Sequence, residues 1–406
     1  MAERPKLNRL DASLRTTTLT SDPRPLPSPD SPELRLLEYH TDHMITVSWN
    51  FRTGWSAPSL QPHGPIPIAP SASALQFATE CFEGLKLFRG PDGNLRLFRA
   101  IDNCERMRRS AARVALPDFE AAELQKLIVA LCALEAPKWL PKEKGEGVLY
   151  VRPTLLGTDA ALATPRPRSA ILVVFLTAFP NLSAPPPSPI GKLSAEGQNA
   201  ILPGRRSMKL LASDNQQVRA WPGGFGNFKV GANYGPALMM QEQAKTQGFD
   251  QVLWLFGAER YITEAGSSNF FVVLRKDDGE TWELVTAPLE QEVILPGIMR
   301  ASILQLATER LQQAVADVVR IEVVERPLTV LELIGAHAQG KIVEAFVSGT
   351  ALFITPVGVI RSEGRDLDIN CEPVDGLLCS QILRNWLLSI MNGKEQHEWA
   401  QVVREA

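Results

Sequence analysis

The sequence predicts a mixed α/β protein built as two domains that a proline-rich interdomain loop joins. Segments with the apolar alternation of strands are interspersed with segments of helical periodicity along the chain. Residues 179–197, FPNLSAPPPSPIGKLSAEG, contain five prolines and three serines and interrupt this pattern, as a domain boundary does. A chain of 406 residues is also long enough for two hydrophobic cores.

The composition is typical of a soluble globular protein and argues against two classes of partner. Hydrophobic residues make up 45% of the chain, charged residues 21%, and the formal net charge is -3. Binding to nucleic acid or anionic lipid would need a basic excess or stripe. No apolar run approaches the ~18 residues of a membrane span. We therefore expect small-molecule substrates, with no nucleic-acid or membrane partner.

Cysteine and histidine usage predicts neither a disulfide framework nor a metal site. The five cysteines are far apart, lack a CxxC pair and have an odd total, and the five histidines are scattered. A reducing compartment fits this usage. Residues 1–35 are rich in proline and serine but contain acidic residues, which are rare in transit peptides. We expect a disordered leader and a cytoplasmic protein, with a mitochondrial location left open.

Two further stretches follow the leader, a small N-terminal domain over 36–180 and, after a linker at 181–197, a large C-terminal domain over 198–406. In the first, 94–100 and 171–179 alternate as strands do, and 121–136 has the apolar spacing of an amphipathic helix. In the second, Pro236 and Gly248 delimit a helix over 234–248. The remaining predicted elements are strands 251–256 and 269–274, a helix over 296–313, and two strands within 341–360 around Gly349.

A single lysine within a glycine-rich run, GNFKVGANYG at 226–235, is the strongest candidate for chemistry. Most lysines are solvated, so a surface loop lysine is the ordinary interpretation of Lys229. A lysine becomes nucleophilic where burial or a nearby cation lowers its pKa, and Phe228 and Val230 would supply burial. Because glycine-rich turns present N–H groups to phosphates, the pattern points to a Schiff base with a phosphorylated carbonyl compound.

Long stretches on both sides of the proline-rich segment match one set of motifs in order. Together they resemble the branched-chain amino acid aminotransferases, fold-type IV enzymes that depend on pyridoxal 5'-phosphate. The matching segments are 41–44 (TDHM), 81–90 (CFEGLKLFRG), 96–117, 150–158 (YVRPTLLGT), 226–274, 294–304 (ILPGIMRASIL) and 346–357 (FVSGTALFITPV).

The resemblance implies a role for each matched residue. Lys229 forms the Schiff base with pyridoxal 5'-phosphate and then moves the proton between Cα and the cofactor. Glu264 pairs with the pyridine nitrogen, and Tyr234 donates a hydrogen bond to the phenolic oxygen. Arg106 binds the phosphate, although a solvated arginine on a helix face is its alternative. The other cofactor-binding residues implied are Ser267, Leu295, Gly297, Ile298, Met299 and Thr350.

The same resemblance implies a substrate side. Arg152 is the candidate for the distal carboxylate of glutamate, with an ordinary strand arginine as the alternative. The full implied set is Tyr150, Arg152, Phe77, Phe82, Ser268 and Ala351. Several positions depart from the family pattern: Phe77 replaces a tyrosine, Ser267 and Ser268 replace threonine and methionine, and Thr164 stands where an apolar residue is common. We expect a roomier and wetter side-chain pocket.

These observations favour an aminotransferase that exchanges the amino group between L-glutamate/2-oxoglutarate and a branched-chain or related hydrophobic L-amino acid. The drifted pocket suggests specialised metabolism. The resemblance also implies a homodimer, in which the loop at 162–164 reaches the partner's pocket. Two alternatives stay open: another type IV enzyme, such as a D-amino acid aminotransferase or a lyase, and a catalytically silent homologue that binds metabolites.

Overall fold

A computed structural model describes most of the chain and divides it into two compact units. The first unit comprises Met1–Gly204, Phe228–Ala232 and Ser389–Ala406, and the second comprises Arg205–Asn227 and Asn233–Leu388. The predicted linker at 181–197 and Thr164 lie outside the described residues. The described ranges are 7–28, 31–145, 147–163, 166–179, 207–214, 216–315, 319–351, 353–369 and 378–406.

The first unit contains one large sheet and two long helices. Its helices are α1 (Pro32–Arg35), α2 (Ser73–Phe77), α3 (Ala100–Arg113) and α4 (Ala121–Trp139). Its strands are β1 (Thr16–Thr17), β2 (His40–Asn50), β3 (Gly54–Trp55), β4 (Ser59–Pro62), β5 (Glu80–Phe82), β6 (Leu85–Arg89), β7 (Leu95–Phe98), β8 (Gly147–Gly157), β9 (Ser169–Ala178) and, near the chain end, β19 (Ala400–Val403).

The strand order of this sheet brings the candidate substrate residues next to the lysine segment. Among the described residues the order is β1-β4-β2-β9-β8-β6-β7-β19, with β5 paired to β8. Strand β8 carries Tyr150 and Arg152, and β5 carries Phe82. A β-bridge between Cys81 and Val230 joins β5 to the lysine segment. Helix α4 buries Leu124, Leu127, Ile128 and Leu131, the apolar stripe predicted from the sequence.

Residues 7–28 are ordered, which differs from the disordered leader predicted for 1–35. Strand β1 pairs in parallel with β4. The backbone N–H of Ala12 donates to Glu123 Oε2 at 2.7 Å, and that of Arg24 donates to Asp42 Oδ1 at 2.7 Å. A proline- and serine-rich composition indicates weak burial, but it carries no information about backbone groups that pair with distant parts of the chain.

The second unit is built around a closed set of strands. Its helices are α5 (Leu238–Thr246), α6 (Ile298–Leu306), α7 (Gln312–Ala314), α8 (Val330–Ala338) and α9 (Cys379–Met391), whose last turn belongs to the first unit. Its strands are β10 (Met208–Ala212), β11 (Gln251–Phe256), β12 (Tyr261–Ala265), β13 (Ser268–Arg275), β14 (Thr281–Thr286), β15 (Arg320–Glu325), β16 (Ile342–Gly349), β17 (Phe353–Ser362) and β18 (Arg365–Asp368).

Strands β12, β11, β10, β17, β16 and β13 follow one another in this sheet, and β12 also pairs with β13, so the six form a barrel. Apolar side chains fill a buried cluster that includes Leu210, Leu253, Val272, Val347 and Ile360. The barrel therefore holds the turn between β12 and β13 and the turn between β16 and β17 in fixed positions. Both turns carry candidate site residues.

Most predicted elements agree with these bounds. The predicted helix over 296–313 is interrupted, because α6 passes into a π-helical turn at Ala307–Leu311 before α7. Gly248, which follows α5, has φ +82, a left-handed conformation that glycine adopts without strain.

No helix in the described part of the chain has both the length and the hydropathy that a membrane span requires.

Candidate active site

The backbone of Lys229 is fixed on both sides by the first unit. Its N–H donates to Ser110 Oγ on α3 at 2.8 Å, and its carbonyl accepts a hydrogen bond from the N–H of Phe82 at 3.1 Å. Val230 beside it is fully buried. The Lys229 side chain is half-buried, and Nζ lies 5.2 Å from the centroid of the Phe82 ring. These contacts hold the backbone that carries the Lys229 amine in a defined position.

Arg106 is buried on α3 and forms a forked ion pair with Glu83. Its Nε donates to Glu83 Oε1 at 2.7 Å and its Nη2 donates to Glu83 Oε2 at 2.9 Å. Asn103 Nδ2 donates to the same carboxylate at 2.8 Å. Burial alone would raise the pKa of Glu83, but the charge and hydrogen bonds of Arg106, the charge of Lys229 and the Asn103 amide outweigh it and lower the pKa.

This pairing fixes how the Arg106 guanidinium is oriented. A planar fork held along one edge by a buried carboxylate keeps a defined direction for its other edge, which suits recognition of an anion. The solvated helix face considered for Arg106 is excluded, because the residue is only 4% exposed. The Lys229 charge acts on the carboxylate that Arg106 binds, so the two candidate residues lie in one neighbourhood.

Tyr150 and Arg152 lie on β8 against Phe82. The Arg152 guanidinium is 4.8 Å from the Phe82 ring centroid, and its Nη2 donates to the Tyr150 hydroxyl at 3.1 Å. Its Nε is buried and makes no hydrogen bond within the described residues. Gly84 leaves room for the tyrosine, since a Cβ there would be 1.8 Å from the Tyr150 hydroxyl oxygen. These side chains form one cationic and aromatic surface beside Lys229.

Lys86 adds a buried lysine to this surface. It lies opposite Tyr150 in the β6–β8 ladder, and its Nζ is 4.1 Å from the centroid of the Phe179 ring. Burial lowers the pKa of Lys86 to about 7. Removing water from around a lysine disfavours its charged form. The electrostatic field at the substrate side therefore changes near neutral pH.

The Lys86→Met variant is expected to lose a pH dependence of stability that the native protein has. Lysine in an unfolded chain has the ordinary pKa of 10.5, whereas burial lowers the pKa of Lys86 to about 7 in the folded protein. Between these values the unfolded state binds one more proton, so the free energy of unfolding rises with pH. This group contributes up to about 1.4 kcal/mol per pH unit.

Urea unfolding of native and Lys86→Met protein between pH 7 and 9.5 measures this contribution directly. Lys144→Met, which removes an exposed lysine of the same unit, is the matched control and is expected to keep the native slope. Equal slopes for native and Lys86→Met protein would show that Lys86 stays protonated in the folded state.

Phe77 ends α2 and is 40% exposed, so it is more open to solvent than the other candidate residues of this unit. Its neighbour Ala78 has φ 51, a left-handed conformation that ends the helix and turns the chain towards β5. Phe77 therefore lies at the turn that leads into β5, and it is more exposed than Phe82, Tyr150 and Arg152, which are half-buried.

In the second unit, Glu264 on β12 is 1% exposed and anchored by three groups. Its Oε1 accepts hydrogen bonds from the N–H of Leu295 at 3.0 Å and from Asn269 Nδ2 at 3.4 Å. Its Oε2 lies 2.7 Å from Nη2 of Arg219, which is also buried. Arg219 Nη1 is buried and makes no hydrogen bond within the described residues. An anionic or carbonyl oxygen of a ligand would satisfy that donor.

Asn269 links this carboxylate to the start of α6. Its Nδ2 also donates to the carbonyl of Leu295 at 3.0 Å, and a Cβ at Gly297 would be 2.1 Å from its Oδ1. Only glycine fits there. Gly297 precedes α6, so Ile298 and Met299 occupy its first turn, where backbone N–H groups lack intrahelical acceptors and the helix dipole is positive. Phosphate groups bind well at such positions.

The two barrel turns bring Ser268 close to Gly349, which precedes Thr350 and Ala351. Ser268 is buried at the start of β13, and its Oγ would lie 2.9 Å from a Cβ at Gly349. Thr350 and Ala351 follow Gly349 and are half-buried, whereas Ser267 is exposed at the tip of its turn. Tyr234 is half-buried between two short 3-10 turns.

Four residues with evident site contacts are absent from the set proposed from the sequence: Glu83, Lys86, Arg219 and Asn269. A signal existed for the first two, because Glu83 and Lys86 interrupt the apolar residues of the segment CFEGLKLFRG. Arg219 and Asn269 carried no such local signal. The described residues contain no group of three histidine, cysteine or acidic side chains able to hold a metal ion.

Comparison with known proteins places the chain among aminotransferases. The family model described as amino-transferase class IV matches residues 80–360. The chain is 38% identical over 388 residues to the mitochondrial branched-chain-amino-acid aminotransferase of Schizosaccharomyces pombe, covering 95% of this chain and 84% of the relative. It is 39% identical over 373 residues to the cytosolic branched-chain-amino-acid aminotransferase of Mus musculus, covering 92% of this chain and 88% of the relative.

Solved structures with a similar fold include two branched-chain aminotransferases. The Thermoproteus uzoniensis protein, solved with norvaline, gives a TM-score of 0.63 at 22% identity and covers 88% of this chain and 99% of that chain. The Thermobaculum terrenum protein, solved in its PLP form, gives 0.62 at 20% identity and covers 89% and 98%. The fold class predicted from the sequence is thereby confirmed.

Proposed function

The chain belongs to the class IV aminotransferase family, and we propose that it exchanges amino groups between L-glutamate and a branched-chain or related hydrophobic 2-oxo acid. It is a transaminase with pyridoxal 5'-phosphate as cofactor. The observation that carries the substrate proposal is the surface formed by Phe82, Tyr150 and Arg152 beside Lys229. It offers aromatic area to an apolar side chain and a guanidinium to a second carboxylate.

Each unit by itself contains residues that fit groups of this cofactor. A buried carboxylate at Glu264 matches a protonated pyridine nitrogen, and the first turn of α6 behind Gly297 matches a phosphate. The buried Arg219 Nη1, which has no partner among the described atoms, matches an oxygen of the ring or phosphate. When bound, the cofactor supplies an electron sink for the charge that develops at the substrate Cα.

Each of these residues has a distinct task under this proposal. The Lys229 amine attaches the cofactor and afterwards takes the proton from the substrate Cα and returns it. Glu264, held by Leu295, Asn269 and Arg219, keeps the proton on the ring nitrogen. Arg106, whose guanidinium Glu83 orients, binds the phosphate.

The remaining assignments follow from the resemblance of the sequence motifs to those of the family. Tyr234 donates to the phenolic oxygen. Ser267, Leu295, Ile298, Met299 and Thr350 hold the cofactor, and Phe77, Ser268 and Ala351 border the substrate. The small, buried Ser268 beside Gly349 supports a side-chain pocket wider than one lined by methionine. Such a pocket suits a role in specialised metabolism.

We also propose a homodimer in which the loop beginning at Leu162 reaches the partner subunit. Leu162 is 71% exposed in the single chain, so its side chain is accessible to a partner subunit. The relatives include both cytosolic and mitochondrial enzymes, and the cytoplasmic location stays a prediction.

Arg152→Met tests the substrate assignment. A charge-assisted hydrogen bond contributes about 1.5–3 kcal/mol, so the KM for 2-oxoglutarate relative to that for 4-methyl-2-oxopentanoate is expected to rise about 10- to 100-fold. Steady-state kinetics with a panel of 2-oxo acids measures this ratio. Arg15→Met, which removes an exposed arginine of the same unit, is the control. An unchanged ratio would assign the distal carboxylate to another cation.

A further inference from the structure

A carboxylate that none of the tasks above uses lies next to the lysine segment. We propose that Glu80 is a specificity-determining residue, whose carboxylate accepts a hydrogen bond from an N–H group on the side chain of the amino-acid substrate. This inference rests on the proposed transaminase function and narrows its substrate class. It adds amide- or amine-bearing side chains to the hydrophobic ones that Phe82 would accommodate.

The pairing of β5 places Glu80 on the same face as the catalytic amine. Cys81 bridges Val230 in antiparallel fashion, so Phe82 lies opposite Lys229 and Glu80 lies opposite Gly231. Residues opposite each other across an antiparallel pair share a face, as do residues two apart on one strand. The 5.2 Å approach of Lys229 Nζ to the Phe82 ring agrees with this arrangement.

Gly231 makes room for the Glu80 side chain. A Cβ at position 231 would be 1.8 Å from Glu80 Oε1, so the carboxylate occupies the volume that any other residue would fill. The close approach of Glu80 therefore explains why a glycine stands two residues after Lys229. It lets an acidic group lie directly against the backbone of the segment that carries the catalytic amine.

The Glu80 carboxylate has no partner in the part of the chain that the structure describes. Its side chain makes no hydrogen bond or ion pair there, although the residue is half-buried. Burial raises the pKa of Glu80, and no neighbouring cation counteracts it. Glu83, three residues on, has an arginine and an amide as partners. A half-buried acceptor without a donor is stabilised by whatever donor a ligand brings.

Glu80 and Arg152 lie at opposite ends of the Phe82 surface. Glu80 is paired with Leu156 on β8, and Arg152 is four residues away along that strand, a span of about 14 Å at 3.4 Å per residue. The surface therefore has a negative end and a positive end with an aromatic ring between them. A distal carboxylate is drawn to Arg152 and repelled by Glu80, whereas an N–H donor is drawn to Glu80.

The test compares amino donors that differ in their hydrogen-bonding groups. Holoenzyme is assayed with L-leucine, with L-asparagine, whose amide has nearly the leucine shape, and with L-2,4-diaminobutyrate. The measured quantity is kcat/KM for each polar donor divided by kcat/KM for leucine. Glu80→Gln keeps the shape and removes the charge, Glu80→Met removes both acceptors, and Glu143→Gln, an exposed glutamate of the same unit, is the control.

We expect both ratios to fall about tenfold in Glu80→Gln and further in Glu80→Met, since a hydrogen bond to a charged acceptor is the stronger one. The control keeps the native ratios. Ratios within twofold of native in both Glu80 variants, with leucine still turned over, overturn the inference and leave the transaminase function standing. Failure of the native protein to turn over any donor contradicts the proposed function and this inference with it.

Discussion

Lys229→Ala is expected to lower kcat by at least about 10³-fold while leaving the fold intact. The substitution removes the amine that attaches the cofactor and moves the proton at the substrate Cα, a contribution of about 10²–10⁴-fold for proton transfer alone. The backbone bonds to Ser110 and Phe82 do not involve the side chain, so alanine keeps them. Stopped-flow measurement of a single half-reaction with L-glutamate separates this chemical step from product release.

Lys144→Ala is the matched control, because it removes an exposed lysine from the same unit. It is expected to retain the native rate. Circular dichroism and urea unfolding should show the native fold in both variants. A Lys229→Ala protein that keeps more than a tenth of the native rate would mean that another amine performs the proton transfer.

Glu264→Gln is expected to have the second largest effect, on both rate and stability. Loss of the charge that holds a proton on the ring nitrogen lowers kcat by about 10²–10³-fold, the usual effect of removing one preorganised electrostatic group. It also leaves the Arg219 guanidinium buried without its carboxylate. Breaking one partner of a buried ion pair lowers the free energy of unfolding by about 3–5 kcal/mol.

Two further variants separate these effects. Glu363→Gln removes the exposed partner of Arg260 and is expected to cost less than about 1 kcal/mol, as surface pairs do. The double variant Arg219→Met with Glu264→Gln is expected to regain stability but not activity, because no unpaired charge remains. Recovery of activity in the double variant would show that Glu264 acts only as the structural partner of Arg219.

Sequence patterns correctly predicted those helices whose start, end and buried face are set by residues within the helix or directly beside it. Apolar spacing located α4, and Pro236 and Gly248 delimited α5, because those signals lie within the element itself. The assignment of the lysine segment to the first unit depends on a bridge between Cys81 and Val230, which are far apart in sequence. Residues 7–28 were predicted to be disordered for the same reason, since their partners are distant.

In the candidate site, too, the sequence motifs identified individual residues but not the contacts between distant segments. Motifs identified Lys229, Arg106 and Glu264, but Glu83, the ion-pair partner of Arg106, and Arg219, the ion-pair partner of Glu264, became evident only from the folded chain. Each pair joins separate segments: Glu83, directly after β5, with α3, and the loop before Lys229 with β12. A motif shows which residue is present, whereas its charge state and orientation depend on neighbours that folding brings to it.

The identity of the lysine that carries the cofactor is the central claim, and reduction followed by peptide mapping tests it most directly. Borohydride reduction of the holoenzyme fixes pyridoxal 5'-phosphate to its amine, and mass spectrometry of the digest locates the modified residue. We expect the reduced cofactor on the peptide containing Lys229, and no modified peptide at this position in Lys229→Ala. Modification at another lysine, such as the buried Lys86, or at none, would contradict the account.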